Sequence, residues 1–314
     1  MLFRSDKEIF GFVEVTVMNE KFYGTGIALI TPFNESLEPD FEALERLVEY
    51  VVTSGVDYLV VLGTTGESAT LSKREKASIF KSVRTINKGR LPLMAGIGGN
   101  DTRALVNEFK QTDLTGYDAI LSVSPYYNKP SQEGIYRHYR ALAEASPLPL
   151  LIYNVPSRTG SNLLPGTVLR IAAYTDKVIG IKEASGDMQQ IKTLIEQAPE
   201  GFLVISGDDH TAVATILEGG SGVISVVGQG IPETFTRMIR MAMAGEAVKA
   251  ERLHRAMIPL FELLFKEGNP AGIKGLLAQK GICLPGVRLP LIAPSTLLQK
   301  EIAAYLKEAF TAIK

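Results

Sequence analysis

From Gly26 onward the chain repeats one unit: a short apolar run rich in Val, Ile and Leu, a polar or glycine-bearing loop, then a longer segment with helical periodicity. Eight such runs recur, at residues 28–31, 58–62, 93–96, 119–123, 150–153, 178–182, 203–206 and 222–226. Strands separated by helices pair through crossovers, so the units should be right-handed βαβ and the sheet parallel. Eight of them in about 200 residues predict an α/β fold of the closed (β/α)8 TIM-barrel type rather than an open doubly wound sheet. No GxGxxG opens a helix after the first strand, which argues against a dinucleotide-binding domain.

The helix signals agree with the strand count. Asp40 precedes Phe41-Glu-Ala-Leu-Glu, Ser72 and Glu75 form a capping-box pattern, Asp101 precedes Thr102, and Pro165 and Pro232 suit first turns. After the eighth unit, residues 247–265, 271–280 and 294–312 read as helices with no strand among them, an appended layer that covers the barrel or mediates assembly. The expected division is an N-terminal extension (1–22), a barrel (23–246) and a C-terminal helical region (247–314). Residues 1–17 read as an appendage. Their alternating Phe10, Phe12, Val13, Val15 and Val17 suit an edge strand, and Met18 is an alternative start.

Composition excludes several classes of function. Of 314 residues, 46% are hydrophobic and 21% charged, the profile of a globular chain with a large core. A net charge of −1 argues against nucleic acid or an anionic membrane as partner. The single cysteine, Cys283, permits no intrachain disulfide and reads as a small buried hydrophobe. His138, His210 and His254 fall in no metal-ligand spacing, so no metal is expected. The N-terminus lacks a signal peptide's apolar segment and no run reaches the ~20 apolar residues of a membrane span, so a cytoplasmic protein is expected.

In a barrel of this type the active site lies at the carboxyl ends of the strands. The second run ends in GTTGES (63–68), the fourth in SPYYNKP (124–130), the fifth in YNVPSRTG (153–160), the sixth in Lys182, and the seventh in Gly207-Asp208-Asp209. A lysine ending a buried strand is usually one that reaches for water. Tyr153, however, ends the neighbouring strand, within phenol-to-amine reach if both side chains point inward. A lysine amine attacks a keto group only when deprotonated. A dry site without a carboxylate partner lowers its pKa by desolvation, and the resulting Schiff base serves as an electron sink for carbon–carbon chemistry. Glu183 should point to the opposite face and leave Lys182 unneutralised.

The Gly63–Ser68 loop suits a small carboxylate, or is an ordinary glycine-rich turn. Arg158 is either a bidentate partner for a second carboxylate or a surface arginine. Tyr126 and Tyr127 fit core or interface packing. Asp208 and Asp209 read as N-caps for the helix at Thr211 in preference to a catalytic pair.

With these residues in view, the chain from about Gly24 to Phe310 resembles the dihydrodipicolinate synthase and N-acetylneuraminate lyase superfamily. The motifs that carry the likeness are GTGIALITPF, GTTGESATL, SPYYNKPSQEG, YNVPSRTG, GIKEASG and SGDD. Within it the chain is most similar to the dihydrodipicolinate synthases: Thr65 stands in GTTGE where sialic-acid lyases usually carry GSTGE, with a serine one place earlier, and Arg158 is a residue that lyases and sugar-acid aldolases generally lack.

The resemblance implies condensation of pyruvate with L-aspartate 4-semialdehyde on the diaminopimelate route to lysine, without metal or organic cofactor. It implies Lys182 as the Schiff-base lysine and Tyr153 as proton donor and acceptor. Thr64 and Tyr127 would complete a relay, Tyr127 coming from across a dimer interface. Thr65 would hold the pyruvate carboxylate with Gly207 and Ile224 nearby, and Arg158 would receive the semialdehyde carboxylate. It also implies a cytoplasmic homotetramer, a dimer of dimers. A lysine effector site would lie near Ser68, Ala69, Asn100, Asp101 and Tyr126. Here Lys73 and Lys76 replace common histidines and Ala104 replaces a frequent glutamate, changes that should weaken binding of a cationic effector. The alternatives are a pyruvate aldolase for a sugar acid or 4-hydroxy-2-oxoglutarate, and a non-catalytic ketoacid-binding barrel.

Overall fold

The first strand, β1, runs Gly24–Ala28, earlier than the apolar run at 28–31 suggests. Its glycines are not weak points here, because they face neighbours that leave no room for a side chain. A Cβ on Gly26 would lie 2.2 Å from the Tyr58 ring, and one on Gly24 would lie 2.3 Å from Asp57 Oδ2. The expected run 28–31 is instead the exit of the strand, where Leu29 N–H still donates to the Val60 carbonyl.

The computed structural model describes residues 19–308. The proposed edge strand at 10–17 and the alternative start at Met18 lie outside the described residues. β1 is followed by α1 (Phe41–Thr53), β2 (Tyr58–Val61), α2 (Lys73–Asn87), β3 (Leu93–Gly96), α3 (Thr102–Gln111), β4 (Ala119–Val123) and α4 (Gln132–Ala145). Then come β5 (Leu150–Asn154), α5 (Pro165–Tyr174), β6 (Val178–Glu183), α6 (Met188–Gln197), β7 (Leu203–Ser206), α7 (Ala212–Leu217), β8 (Gly222–Ser225) and α8 (Pro232–Met243). The eight strands are parallel and close in sequence order, β8 pairing back onto β1.

Local chemistry starts the helices where expected. Asp40 and Asp101 accept from the Ala43 and Ala104 amides, Ser72 and Glu75 complete a capping box, and Pro165 and Pro232 occupy first turns. Strand alternation separates two cores. Tyr58, Val60, Leu121, Leu151, Ile205 and Ile224 fill the barrel interior, while Leu59, Val61, Ile120, Ile152, Val204 and Val223 pack outward against the helices. Phe22, assigned by sequence to the extension, packs edge-on to Tyr58 at 5.4 Å within the interior cluster, so barrel packing already includes it.

On β6 the alternation breaks once, and the break aims the lysine. Leu150 pairs with Val178 but Leu151 pairs with Gly180, a shift of one residue. Ile179 points inward and Ile181 outward, so Lys182 points inward and Glu183 outward. An unbroken period of two from Ile179 would have turned Lys182 out. Gly180 makes this possible, since a Cβ there would lie 2.4 Å from the Leu203 carbonyl oxygen.

The C-terminal helices α9 (Ala247–Phe265), α10 (Ala271–Gln279) and α11 (Thr296–Glu308) pack onto the same outer core through Phe261, Leu264, Leu276 and Ile302. They form a layer over the barrel, as expected, and the turn between α9 and α10 reaches the barrel mouth. Among the described residues no helix is long and apolar enough to cross a membrane.

Candidate active site

Lys182 pairs in register with Tyr153 on β5, and its Nζ lies 4.4 Å from the centre of the tyrosine ring. The side chain is 5% exposed, at the inner end of a cavity of about 250 Å³ that opens at the strand exits. Burial is the main cause that lowers its pKa, to about 8. The charge of Asp209 opposes that shift and the charge of Arg158 assists it. Glu183 faces away, its carboxylate taking hydrogen bonds from Asn154, Gln190 and the Ser185 amide. Gly207 leaves the passage for the lysine: a Cβ there would stand 3.0 Å from its Cγ and Cε.

A pKa of about 8 leaves about one amine in ten neutral at pH 7. The rate of imine formation with a ketoacid should therefore rise about tenfold per pH unit up to pH ~8 and level off above it. Asp209, which burial pushes up to about 6, adds a small inflection as it ionises. Timed borohydride trapping between pH ~6 and ~9 reads this profile; a flat one would contradict a titrating Lys182.

The Tyr153 phenol is buried, which raises its pKa. The Arg158 charge and a hydrogen bond with the Thr64 side chain partly offset that rise. Thr64 lines the cavity, whereas Tyr127 does not. Tyr127 is 87% exposed with φ +73°, a left-handed conformation that costs a non-glycine residue on the order of 1 kcal/mol. Thr64 and Tyr153 thus share the cavity wall, and Tyr127 projects outward.

Residues 63–70 form two consecutive 3₁₀ turns, Thr64–Gly66 and Ser68–Thr70, rather than a loop leading straight into a helix. Leu62 (φ +61°) and Glu67 (φ +53°) bracket the first. The turn itself uses the Gly66 and Glu67 amides, which donate to the Gly63 and Thr64 carbonyls. The first amides of such a turn have no partner within it, so those of Thr64 and Thr65 remain for an anion. Thr65 is buried, its hydroxyl accepting from Asn269 Nδ2 at 2.9 Å.

Arg158 sits at the cavity mouth on the single helical turn Pro156–Thr159. Gly207 also lines the cavity, while Ile224 lies inside the barrel without reaching it and Val226 takes the wall position. Neither Asp208 nor Asp209 caps α7: its N-cap is Thr211 without a side-chain bond. Asp208 accepts from the His210 amide, and Asp209 is buried and accepts from Ser225 Oγ and the Val226 and Val227 amides, shaping the β8 exit. The sequence pattern misread Asp209 because its partners at the β8 exit lie sixteen or more residues ahead, and Asp208 because its carboxylate takes the His210 amide instead of a helix amide.

Sequence reasoning missed Asn269 and Phe265, both at the cavity wall. Asn269 Oδ1 is buried and has no partner among the described residues. They come from the α9–α10 connection, which no strand end signals; the Asn-Pro pair at 269–270 marks only a turn. Of the residues expected at an effector site, Asn100 Nδ2 donates to the Tyr126 carbonyl at 3.2 Å, Asp101 is occupied as the α3 cap, and Ser68 and Ala69 lie on the second 3₁₀ turn. Among the described residues no group of three or more His, Cys, Asp or Glu could hold a metal ion.

Residues 21–309 match the model of the dihydrodipicolinate synthetase family. The 4-hydroxy-tetrahydrodipicolinate synthase of Flavobacterium psychrophilum is 49% identical over 289 residues, covering 92% of this chain and 99% of that protein. Among solved structures, a monomeric dihydrodipicolinate synthase variant superposes with a TM-score of 0.90 at 39% identity, covering 93% of this chain and 98% of its own. The dihydrodipicolinate synthase of Thermotoga maritima gives 0.89 at 39% identity, covering 92% and 99%.

Proposed function

This chain belongs to the dihydrodipicolinate synthetase family, and on that premise we propose that it condenses pyruvate with L-aspartate 4-semialdehyde through a Schiff base on Lys182. The observation that carries the reading is Lys182 Nζ, buried and held at a pKa of about 8, over the Tyr153 ring at the inner end of the cavity. The neutral amine attacks the keto carbon, and water leaves with a proton passed through Tyr153 and Thr64. The resulting iminium draws electrons from the methyl carbon, whose proton Tyr153 accepts. The enamine adds to the aldehyde, and the amine of the second substrate then attacks the imine carbon, frees Lys182 and closes the ring. Electrons balance without a redox partner and the protonated imine is itself the electron sink, so the reading assigns no metal or organic cofactor.

Thr65 and the Thr64–Thr65 amides hold the pyruvate carboxylate beside Gly207, and Ile224 backs the site from the barrel interior. Arg158 receives the carboxylate of the semialdehyde. Tyr127 extends the relay in a neighbouring subunit of a cytoplasmic homotetramer; its exposure and strained backbone support that placement. The test of the function is turnover: with pyruvate, aspartate semialdehyde should be consumed in preference to sugar aldehydes and glyoxylate. Preference for either alternative would replace this reading by another pyruvate aldolase.

Two expectations follow. Arg158→Ala should raise the semialdehyde KM ~10- to 100-fold, the worth of a charge-assisted pair, while half-saturation by pyruvate stays within about threefold. An equal rise in both constants would contradict it. In addition, Lys73 and Lys76 beside the Ser68, Ala69, Asn100, Asp101 and Tyr126 region, with Ala104 in place of an anion, should leave the rate within about twofold in millimolar lysine. A micromolar inhibition constant would contradict that.

A further inference from the structure

The turn that carries Thr64 and Thr65 is held from behind by groups that do not reach the cavity. Glu67 and Lys274 form an ion pair at 2.5 Å with side chains 1% and 0% exposed. Lys274 Nζ also donates to the Gly286 carbonyl at 2.8 Å, and the Arg288 amide donates to the second Glu67 oxygen at 2.9 Å. Lys274 lies over the Phe33 ring, 4.1 Å from its centre. Neither partner lines the cavity.

Such a pair is a poor source of stability, since its desolvation cost cancels much of its attraction and apolar residues would fill the space as well. What it supplies is direction. Glu67 is the left-handed residue that ends the first 3₁₀ turn and starts the second, so pinning its carboxylate fixes how the preceding turn is aimed. Lys274 stands on α10, which begins two residues after Asn269. The Asn269–Thr65 hydrogen bond and the Glu67–Lys274 pair therefore fasten the turn to the C-terminal layer at two points.

We propose that the buried Glu67–Lys274 pair is a positioning device that aims the Thr64–Thr65 donors at the ketoacid carboxylate and so sets affinity for the ketoacid without touching it. This rests on the reading of that turn as the pyruvate carboxylate site. It also gives the C-terminal layer a part in the chemistry of a barrel it does not belong to.

The test is borohydride trapping of Lys182 as a function of pyruvate concentration, in the wild type, Glu67→Gln and the double variant Glu67→Gln/Lys274→Met. The double variant leaves no lone buried charge, so it decides the matter if the single one does not fold. In the folded variants half-saturation should rise at least ~tenfold. The limiting trapping rate should stay within about threefold and its pH inflection near 8, because Lys182 feels Asp209 and Arg158 rather than Glu67. A purely structural role would lower the trapped amount in step with the unfolded fraction and leave half-saturation unmoved. A folded variant with half-saturation within twofold of wild type overturns the proposal. No adduct in the wild type overturns the reading of the site beneath it instead.

Discussion

Lys182→Ala should lose turnover by at least about four orders of magnitude while folding as the wild type does. No other lysine stands at the cavity wall among the described residues, so nothing replaces the nucleophile. The fold should tolerate the loss because the ammonium is a burden on it. Its folded pKa lies below that of an unfolded lysine, so the group's stability contribution is full only above pH ~10.5 and is lost as pH falls through about 8. At neutral pH the charged form costs roughly 3 kcal/mol, offset in part by packing of the aliphatic stem. The melting temperature of Lys182→Ala should therefore equal or exceed that of the wild type. Lys182→Arg should be equally inactive, since a guanidinium keeps its proton and cannot attack a ketone. A few per cent of residual activity in either variant would remove the imine from the mechanism.

Tyr153→Phe should retain the ring that faces Lys182 and lose only the hydroxyl, with kcat falling ~10²- to 10⁴-fold. The hydroxyl is the group hydrogen-bonded to Thr64, and no other phenol lines the cavity among the described residues. Imine formation and enamine formation both need a proton moved at this position, so trapping should slow together with turnover. Pyruvate half-saturation should change little, because the carboxylate donors lie on the Thr64–Thr65 turn. A variant with near-normal kcat and a raised pyruvate KM would make Tyr153 a binding residue and leave the proton path unassigned.

The barrel was legible because eight apolar runs and their capping residues repeat on a fixed spacing, and the helices start at Asp40, Ser72 and Asp101 as those side chains dictate. The first strand was misplaced since its glycines read as a loop until the Tyr58 ring beside them is known. Lys182 and Tyr153 were legible as ends of adjacent strands. The reason Lys182 faces inward was not, because 178–181 are apolar or glycine on both sides of the bulge and carry no parity. Asn269 and the Glu67–Lys274 pair were invisible for another reason: each joins segments more than 200 residues apart, and no local pattern announces the partner.

The most direct measurement is to incubate the protein with pyruvate and borohydride, digest it, and locate the reduced three-carbon adduct by peptide mass. The account predicts a single modified site at Lys182, blocked in Lys182→Ala and slowed in Tyr153→Phe. An unmodified Lys182 peptide, or an adduct spread over surface lysines, would contradict it.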